Sequence, residues 1–215
     1  MVLGTYFITD FITAWGTQCT EETATDTGFG QYGNAIARNI KDFKTSANQN
    51  KGYYIGRFEA GNASDTLVCK AGQTVWKKIT QPNASTASKN MYNDGYATGT
   101  FSSDLINSYA RDTAIIFIQT FGGESEYYKQ NKSTSFTTTG GNGDEYCNIN
   151  DMSGNAWEVS TELEIDNPGN CFFRGGYYSI DSSGPYCYTS FRGTIFILQK
   201  GNSDLSFRPI LYVAL

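Results

Sequence analysis

The second half of the chain contains no helical pattern, and this restricts the folds that the sequence can adopt. After Asp144 the chain consists of short apolar and aromatic runs separated by Gly, Asn, Asp and Pro, residues that favour turns. Helical spacing is confined to the first half. One helix is predicted after Asn34, a weaker one over residues 83–92, and the clearest one with Ser103 or Asp104 as its cap. Two clear helices followed by a loop-rich β region predict a single α+β domain.

Shorter elements and the domain organisation follow from the same patterns. Residues 53–59 (YYIGRFE) predict a strand, and residues 67–69 and 74–76 predict a hairpin. Residues 122–143 are rich in Ser, Thr and Gly, which indicates a polar surface connection. We expect residues 1–50 to form an N-terminal arm and helix packed on a main domain of residues 51–215.

The composition excludes several classes of function. A net charge of -5 argues against nucleic-acid binding, because phosphate contacts need clustered Lys and Arg. The chain has no histidine, which removes Ser-His-Asp triads and imidazole metal sites. The five cysteines include no CxxC pair, which argues against a zinc ribbon or a thioredoxin-like site.

No targeting or membrane segment is expected. The apolar N-terminus (MVLGTYFITDFITAWG) has no basic residue before its apolar part and contains Asp10, so it is a poor signal peptide. No apolar stretch approaches the length of about 18 residues that a membrane span needs.

Three motifs follow one another in the C-terminal third: residues 150–158 (NDMSGNAWE), 173–177 (FRGGY) and 206–209 (SFRP). In this order they resemble the formylglycine-generating enzyme (sulfatase-modifying factor) superfamily, whose pattern runs DMxGNxWEW, RGGS and GFRP. Residues 54–59 are similar to the early strand of that family, which ends in Glu. The resemblance implies a C-type-lectin-like fold with two helices, small twisted antiparallel sheets and long irregular loops.

The motif residues suit structural roles. The glycines fit backbone that turns sharply or approaches another segment closely. Trp157 is predicted to lie in the core with its indole N–H paired, and the arginines are predicted to tie loops together through carbonyls or carboxylates such as Glu158. The scaffold residues are Gly154, Trp157, Glu158, Arg174, Gly175, Gly176, Phe207, Arg208 and Pro209.

A calcium site is one interpretation of the first motif. Asp151, the Ser153 carbonyl and Asn155 are spaced at i, i+2 and i+4, and the resemblance implies that this stretch can ligate calcium through oxygen. The alternative is an Asx-rich turn hydrogen-bonded to itself. No other cofactor is expected.

The residues for the catalysis of this superfamily are incomplete. The enzymes use two cysteines after RGGS. Ile180 stands in the place of the first, and Cys187 resembles the second. A second branch holds iron with histidines, which this chain lacks. We therefore expect a non-enzymatic protein, with a copper oxidase acting through Cys187 as the alternative.

The end of the chain resembles the variable proteins that retroelements diversify. The similarity lies in residues 207–212 (FRPILY) and 184–188 (GPYCY). In such systems adenines are randomised, chiefly in AAC codons, and the resulting NNC codons cannot encode Lys, Glu, Gln, Met or Trp. These five types make up 33 of the 215 residues, yet none occurs from Ile165 to Leu198, where about five would be expected. Residues 165–206 are therefore the candidate variable segment.

This segment has the composition of a binding surface, since it mixes Tyr with Ser and Gly as antibody paratopes do. Phe172 and Phe173 are expected in the core, whereas Tyr177, Tyr178, Tyr188 and Phe191 are expected to be exposed. The predicted ligand-binding residues are Tyr177, Tyr178, Ile180, Asp181, Tyr188, Ser190, Phe191, Arg192, Thr194 and Phe196.

The resemblance also implies the kind of partner. We expect a protein or glycan ligand on another cell surface and extracellular display on a phage particle or a bacterium. Related proteins often form trimers, so a homo-oligomer is compatible with the resemblance. A carbohydrate-binding module of fixed specificity is a further alternative.

Overall fold

The computed structural model describes residues 40–92, 101–133, 135–163, 170–178, 188–195 and 201–213. These residues form a mixed α/β fold with small, mainly antiparallel sheets. The helices are α1 (Ile40–Gln49), α2 (Gln81–Asn90) and α3 (Ser108–Phe121), and a 3-10 turn covers Tyr127–Lys129. The predicted arm and the beginning of the first predicted helix lie outside the described residues.

Eleven short strands form four sheets in the described part of the chain. One sheet has three antiparallel strands in the order β1–β11–β4, and another has four in the order β10–β7–β8–β9, with β10 and β7 parallel. The hairpins β2–β3 and β5–β6 complete the set. The strands are β1 (Tyr54–Ile55), β2 (Gly61–Ala63), β3 (Thr66–Val68), β4 (Phe101–Leu105), β5 (Glu145–Tyr146), β6 (Ile149–Asn150), β7 (Trp157–Leu163), β8 (Cys171–Arg174), β9 (Arg192–Ile195), β10 (Leu205–Phe207) and β11 (Pro209–Val213).

The main helix begins later than its sequence pattern predicts. Residues 101–105 pair with β11 as strand β4, so neither Ser103 nor Asp104 is the helix cap. Asn107 caps α3 instead, with its side chain accepting a hydrogen bond from the N–H of Ala110 at 2.7 Å. The predicted end at Gly122 is confirmed. The weaker helix is confirmed as α2, which begins two residues early behind the cap residue Thr80.

The predicted hairpin has a different partner. Strand β3 pairs with β2 through a tight turn at Ser64 and Asp65, whose φ angles of 53° and 61° suit a type I′ connection. Val75 forms an isolated bridge to Gly61 rather than to β3. Of the predicted strand at residues 53–59, only Tyr54–Ile55 is β structure.

The core consists of three groups of packed side chains. The largest lies between α2 and the four-stranded sheet and includes Leu105, Val159, Phe173 and Phe207. A second packs α3 against Tyr127 and Met152, so residues 122–143 are not only a surface connection, because Tyr127 is fully buried. In the third, Phe43 of α1 packs edge-on against Tyr212 of β11. No helix in the described ranges is long and apolar enough to cross a bilayer.

Candidate functional site

A buried ion-pair network joins the first and third sequence motifs. Glu158 on β7 pairs with Arg111 of α3 through one carboxylate oxygen and with Arg208 through the other. Arg208 donates to Glu158 Oε1 at 2.9 and 2.6 Å, and to the carbonyls of Gly56 and Asn150, each at 2.7 Å. The predicted role of Arg208 in tying loops together is confirmed. Arg111 was not among the predicted residues.

The network also fixes the charge of Glu158. Burial by itself raises the pKa of this carboxyl, but Arg111 and Arg208 outweigh it and hold the pKa below its usual value. Glu158 is therefore an anion that neutralises cations in the interior.

A second ion pair holds the segment before β9. Arg174 pairs with Asp112 of α3 and donates from Nε to the carbonyl of Phe191 at 3.1 Å. Arg192 lies 3.8 Å from the other carboxylate oxygen of Asp112. The predicted loop-tying role of Arg174 is confirmed, and it draws residues 190–192 toward the interior.

Because of these contacts, three of the predicted ligand-binding residues are buried. Phe191 is only 6% exposed because its ring packs between Phe173 and Trp157, with centroids at 5.7 and 6.4 Å. Ser190 and Arg192 are buried by the same contacts.

The other predicted ligand-binding residues have two outcomes. Tyr177, Tyr178, Tyr188 and Thr194 are half-buried, so part of each side chain reaches solvent. Ile180, Asp181 and Phe196 lie outside the described residues. Phe172 and Phe173 lie in the core as predicted.

The candidate calcium ligands hold a neighbouring loop instead. Asp151 accepts a hydrogen bond from the N–H of Gly140, the Ser153 carbonyl from Lys132 at 2.7 Å, and Asn155 Oδ1 from Thr137 at 2.9 Å. These bonds go to residues 131–140 rather than within the turn. A calcium ion takes about six to eight converging oxygens, and no group of three or more acidic or cysteine side chains in the described ranges is placed to hold a metal. The calcium site stays a prediction.

Two motif glycines have the roles that the sequence predicts. Gly154 has a φ of +136°, and a Cβ there would lie 2.5 Å from Ser133 Oγ. Gly175 has a φ of +88°, and its Cβ would collide with the guanidinium of Arg111. Gly176 is buried beside it. Glycine thus permits both backbone turns and close approach to the ion-pair network.

Trp157 departs from its prediction. The side chain is half-buried rather than fully enclosed, and its indole N–H has no hydrogen-bond partner in the part of the chain that the structure describes. It packs on Phe173 at 4.9 Å and stacks on Tyr177 at 4.5 Å with an interplanar angle of 28°. Trp157 therefore connects the core to the surface.

An aromatic row runs outward from this tryptophan. Tyr177 contacts Tyr178 edge-on at 4.6 Å, and Tyr178 contacts Phe136 at 5.3 Å. We call Trp157, Tyr177, Tyr178 and Phe136 the aromatic row. The ammonium group of Lys77 lies 3.6 Å from the ring centroid of Phe136, within the range of a cation–π interaction. The sequence offered no sign of Phe136 or Lys77, because both lie far from the variable segment along the chain.

Backbone hydrogen bonds fix this row. The N–H of Tyr178 donates to the carbonyl of Asn155 at 3.3 Å, and Asn131 donates to the carbonyl of Tyr177 at 3.2 Å. Asn155 also binds Thr137, next to Phe136, through its side chain. One residue therefore positions both ends of the Tyr178–Phe136 contact. The result is a set of preorganised, half-exposed rings suited to binding.

Buried carboxyls lie beneath this loop. Burial, together with Asp151 and Glu158 nearby, raises the pKa of Glu59 well above its usual value, while Asn155 donates to it. Burial also raises the pKa of Asp151 to about 6.

Asp151 makes the stability of the protein depend on pH. Its pKa is higher in the folded than in the unfolded chain, so folding is favoured below the unfolded value of 3.8 and this contribution is lost as the pH rises to about 6. We expect the unfolding free energy to fall by up to about 3 kcal/mol across this window, from about 1.36 kcal/mol per pKa unit. Denaturant titrations at several pH values measure it. Asp151→Asn can keep the bond to Gly140 and should reduce this dependence, while the raised pKa of Glu59 maintains part of it. An unchanged dependence would contradict the assignment.

One of the described thiols has a shifted pKa. Cys69 and Cys147 are free, and burial raises the pKa of Cys69 to about 11. A thiol with a raised pKa is a poor nucleophile near neutral pH. Cys187, the residue on which the oxidase alternative depends, lies outside the described residues.

Comparison with known proteins shows a similarity in fold and no similarity to a sequence family. No protein-family model matches the chain, and no curated protein matches it. Among solved structures, it is similar to PvdO from Pseudomonas aeruginosa, with a TM-score of 0.52 and 12% identity, covering 76% of this chain and 80% of that one. It also matches variable protein 1 of Treponema denticola, with a TM-score of 0.37 and 15% identity, covering 93% of this chain and 79% of that one. The first likeness shows a shared fold, and the second score is too low to establish one.

Proposed function

We propose that this protein is a non-enzymatic binding protein whose residues 165–206 form a diversified surface for a ligand on another cell. The observation that carries the proposal is the aromatic row. Tyr177 and Tyr178 belong to the candidate variable segment, are half-exposed, and stand on a buried framework. Tyrosines of this kind provide rigid contact area at low entropic cost, which is their use in paratopes.

We also propose that the framework is a C-type-lectin scaffold of the formylglycine-generating enzyme type. The fold shared with PvdO supports a common scaffold. The motif contacts support it too, since Glu158 and Arg208 of the first and third motifs form a buried ion pair, and Arg174 of the second pairs with Asp112, next to Arg111. Such a framework allows the surface residues to change while the core charges stay fixed.

The absence of catalysis is part of the proposal. The chain has no histidine, and Ile180 stands where the family has a catalytic cysteine. The carboxylate at the centre of the three motifs is engaged, since Glu158 pairs with two arginines. This is the arrangement of a structural network, and it supports a scaffold that binds rather than reacts.

Replacing Tyr178 tests the binding surface. Flow cytometry of the labelled protein on a panel of intact bacterial cells should show binding that weakens by about tenfold or more in Tyr178→Ser, the scale of an interface hot spot. Tyr54 is 68% exposed and lies outside both the aromatic row and residues 165–206, so Tyr54→Ser is the matched control and should bind as the wild type does.

Both variants should melt within a few degrees of the wild type, which separates lost binding from lost folding. Binding by Tyr178→Ser at the wild-type level, or an equal loss in Tyr54→Ser, would contradict the proposal.

A further inference from the structure

Lys77, a lysine on a fixed backbone, lies next to Phe136 at the end of the aromatic row. The neighbours of Lys77 are tied on both sides: the N–H of Trp76 donates to the carbonyl of Ala60 at 2.8 Å, and that of Lys78 to Asn202 at 3.1 Å. Lys77 itself is half-buried, with its ammonium group against the ring of Phe136. Lys77 and Phe136 both lie outside residues 165–206, so they do not belong to the segment that we propose to vary.

The two segments that meet at this contact contain only positively charged residues, although buried carboxyls such as Asp151 lie beneath them. Residues 70–80 and 131–143, here called the basic strip, contain four lysines and no acidic residue, although the whole protein has a net charge of -5. None of these lysines has an ion-pair partner within the described ranges. The four are Lys70, Lys77, Lys78 and Lys132.

Hydrogen bonds join the two segments of the basic strip. The N–H of Gly72 donates to the carbonyl of Thr139 at 2.7 Å, and the N–H of Thr139 donates to the carbonyl of Gln73 at 3.0 Å. Lys77 meets Phe136 across the same junction. The two segments are therefore neighbours, with Lys77 beside the aromatic row and Lys132 near the ring of Tyr146.

We infer that Lys77, held against Phe136, binds a carboxylate of an acidic protein segment whose neighbouring apolar side chains contact the aromatic row. This inference rests on the proposed function and adds a constant charge preference to a variable surface. An ammonium group beside an apolar ring, with no internal counter-ion in the described structure, can form a charge-assisted hydrogen bond when a ligand excludes water.

The ring geometry favours a protein ligand over a sugar. A sugar ring binds by lying flat on a free aromatic face. One face of Tyr177 is stacked on Trp157, and Phe136 is covered on one side by Lys77. Tyr178 contacts both Tyr177 and Phe136, so the rings of the row already cover part of one another, which leaves less flat area for a sugar than for the irregular contacts of a peptide.

Selection from a yeast-displayed library of random peptides tests the inference. Peptides selected on the wild type should be enriched in Asp and Glu relative to the starting library. They should bind Lys77→Met about tenfold more weakly, the scale of a hydrogen bond to a charged group. Lys77→Arg should keep most of the affinity, and Lys89→Met, a lysine on α2 outside the basic strip, should keep all of it. Binding by the wild type should also weaken more steeply with added salt than binding by Lys77→Met, which keeps the other lysines of the basic strip.

The outcomes separate this inference from the proposed function. The role of Lys77 would be overturned, and the proposed function would stand, in two cases. In the first, the selected peptides need Tyr178 but are not enriched in Asp and Glu. In the second, acidic peptides bind Lys77→Met as tightly as they bind the wild type. If the wild type instead selects no peptide and binds acidic sugars on a glycan array through Lys77, the inference that the ligand is a protein is wrong. If no binding depends on Tyr178, the proposed function fails as well.

Discussion

Replacing Glu158 with glutamine should lower the unfolding free energy by about 3 to 5 kcal/mol, the cost of breaking a buried ion pair by removing one partner. Arg111 and Arg208 would remain fully buried without their shared carboxylate. The side-chain amide of glutamine fills the same volume and accepts one hydrogen bond, but it carries no charge. The loss would therefore measure charge neutralisation rather than packing.

A matched control separates burial from ion pairing as such. Glu145 pairs with Arg57 at 2.9 Å, but both side chains are 51% exposed. Glu145→Gln should cost at most about 1 kcal/mol, because water already solvates both charges. Chemical denaturation of the two variants gives the comparison, and equal losses would show that Glu158 does not neutralise the interior.

Replacing Gly175 with alanine should destabilise the protein by about 3 kcal/mol or more. A φ of +88° costs an L-residue about 1 to 2 kcal/mol, and the added methyl group would overlap the guanidinium of Arg111. Overpacking adds about 1 to 3 kcal/mol. Movement of Arg111 away from the methyl group would also weaken its pair with Glu158.

Gly123 provides the control for backbone strain alone. Its φ is +73°, but a Cβ at this position would meet no atom within 4 Å. Gly123→Ala should cost only the conformational penalty of about 1 to 2 kcal/mol. In thermal or denaturant unfolding, Gly175→Ala should therefore be clearly less stable than Gly123→Ala. Equal losses of unfolding free energy in the two variants would contradict the close approach of Gly175 to Arg111.

The sequence was informative where chemistry is local to a motif. Gly154 and Gly175 have the strained backbone that their motifs predict, and Arg174 and Arg208 bind carbonyls and carboxylates across loops. A five-donor guanidinium and a glycine each have few roles in an apolar interior, so residue type and spacing were enough.

The sequence failed where a distant segment decides the outcome. The apolar pattern of the predicted helix begins at Leu105, behind Ser103 or Asp104 as its cap, yet pairing with β11, about a hundred residues later, makes residues 101–105 a strand. Phe191 has the composition of an exposed paratope residue, but Arg174 holds its carbonyl and Phe173 covers its ring. These contacts have no signal in local spacing.

The same limit applies to the candidate site. Tyr177 and Tyr178 were predicted as ligand-binding residues. Phe136, which contacts Tyr178, and Lys77, which contacts Phe136, come from segments whose sequences indicate only a connection and the end of a hairpin. Asn155 was a candidate metal ligand from its spacing. Its observed role, holding residue 137 and Tyr178 together, depends on the packing of two loops.

The central claim is that residues 165–206 vary while their framework does not, and sequencing this gene from several independent isolates tests it most directly. We predict that differences concentrate in residues 165–206, at half-exposed positions such as Tyr177, Tyr178 and Thr194, while Glu158 and Arg208 stay constant. Residues 165–206 that are identical in every isolate would contradict a diversified binding surface.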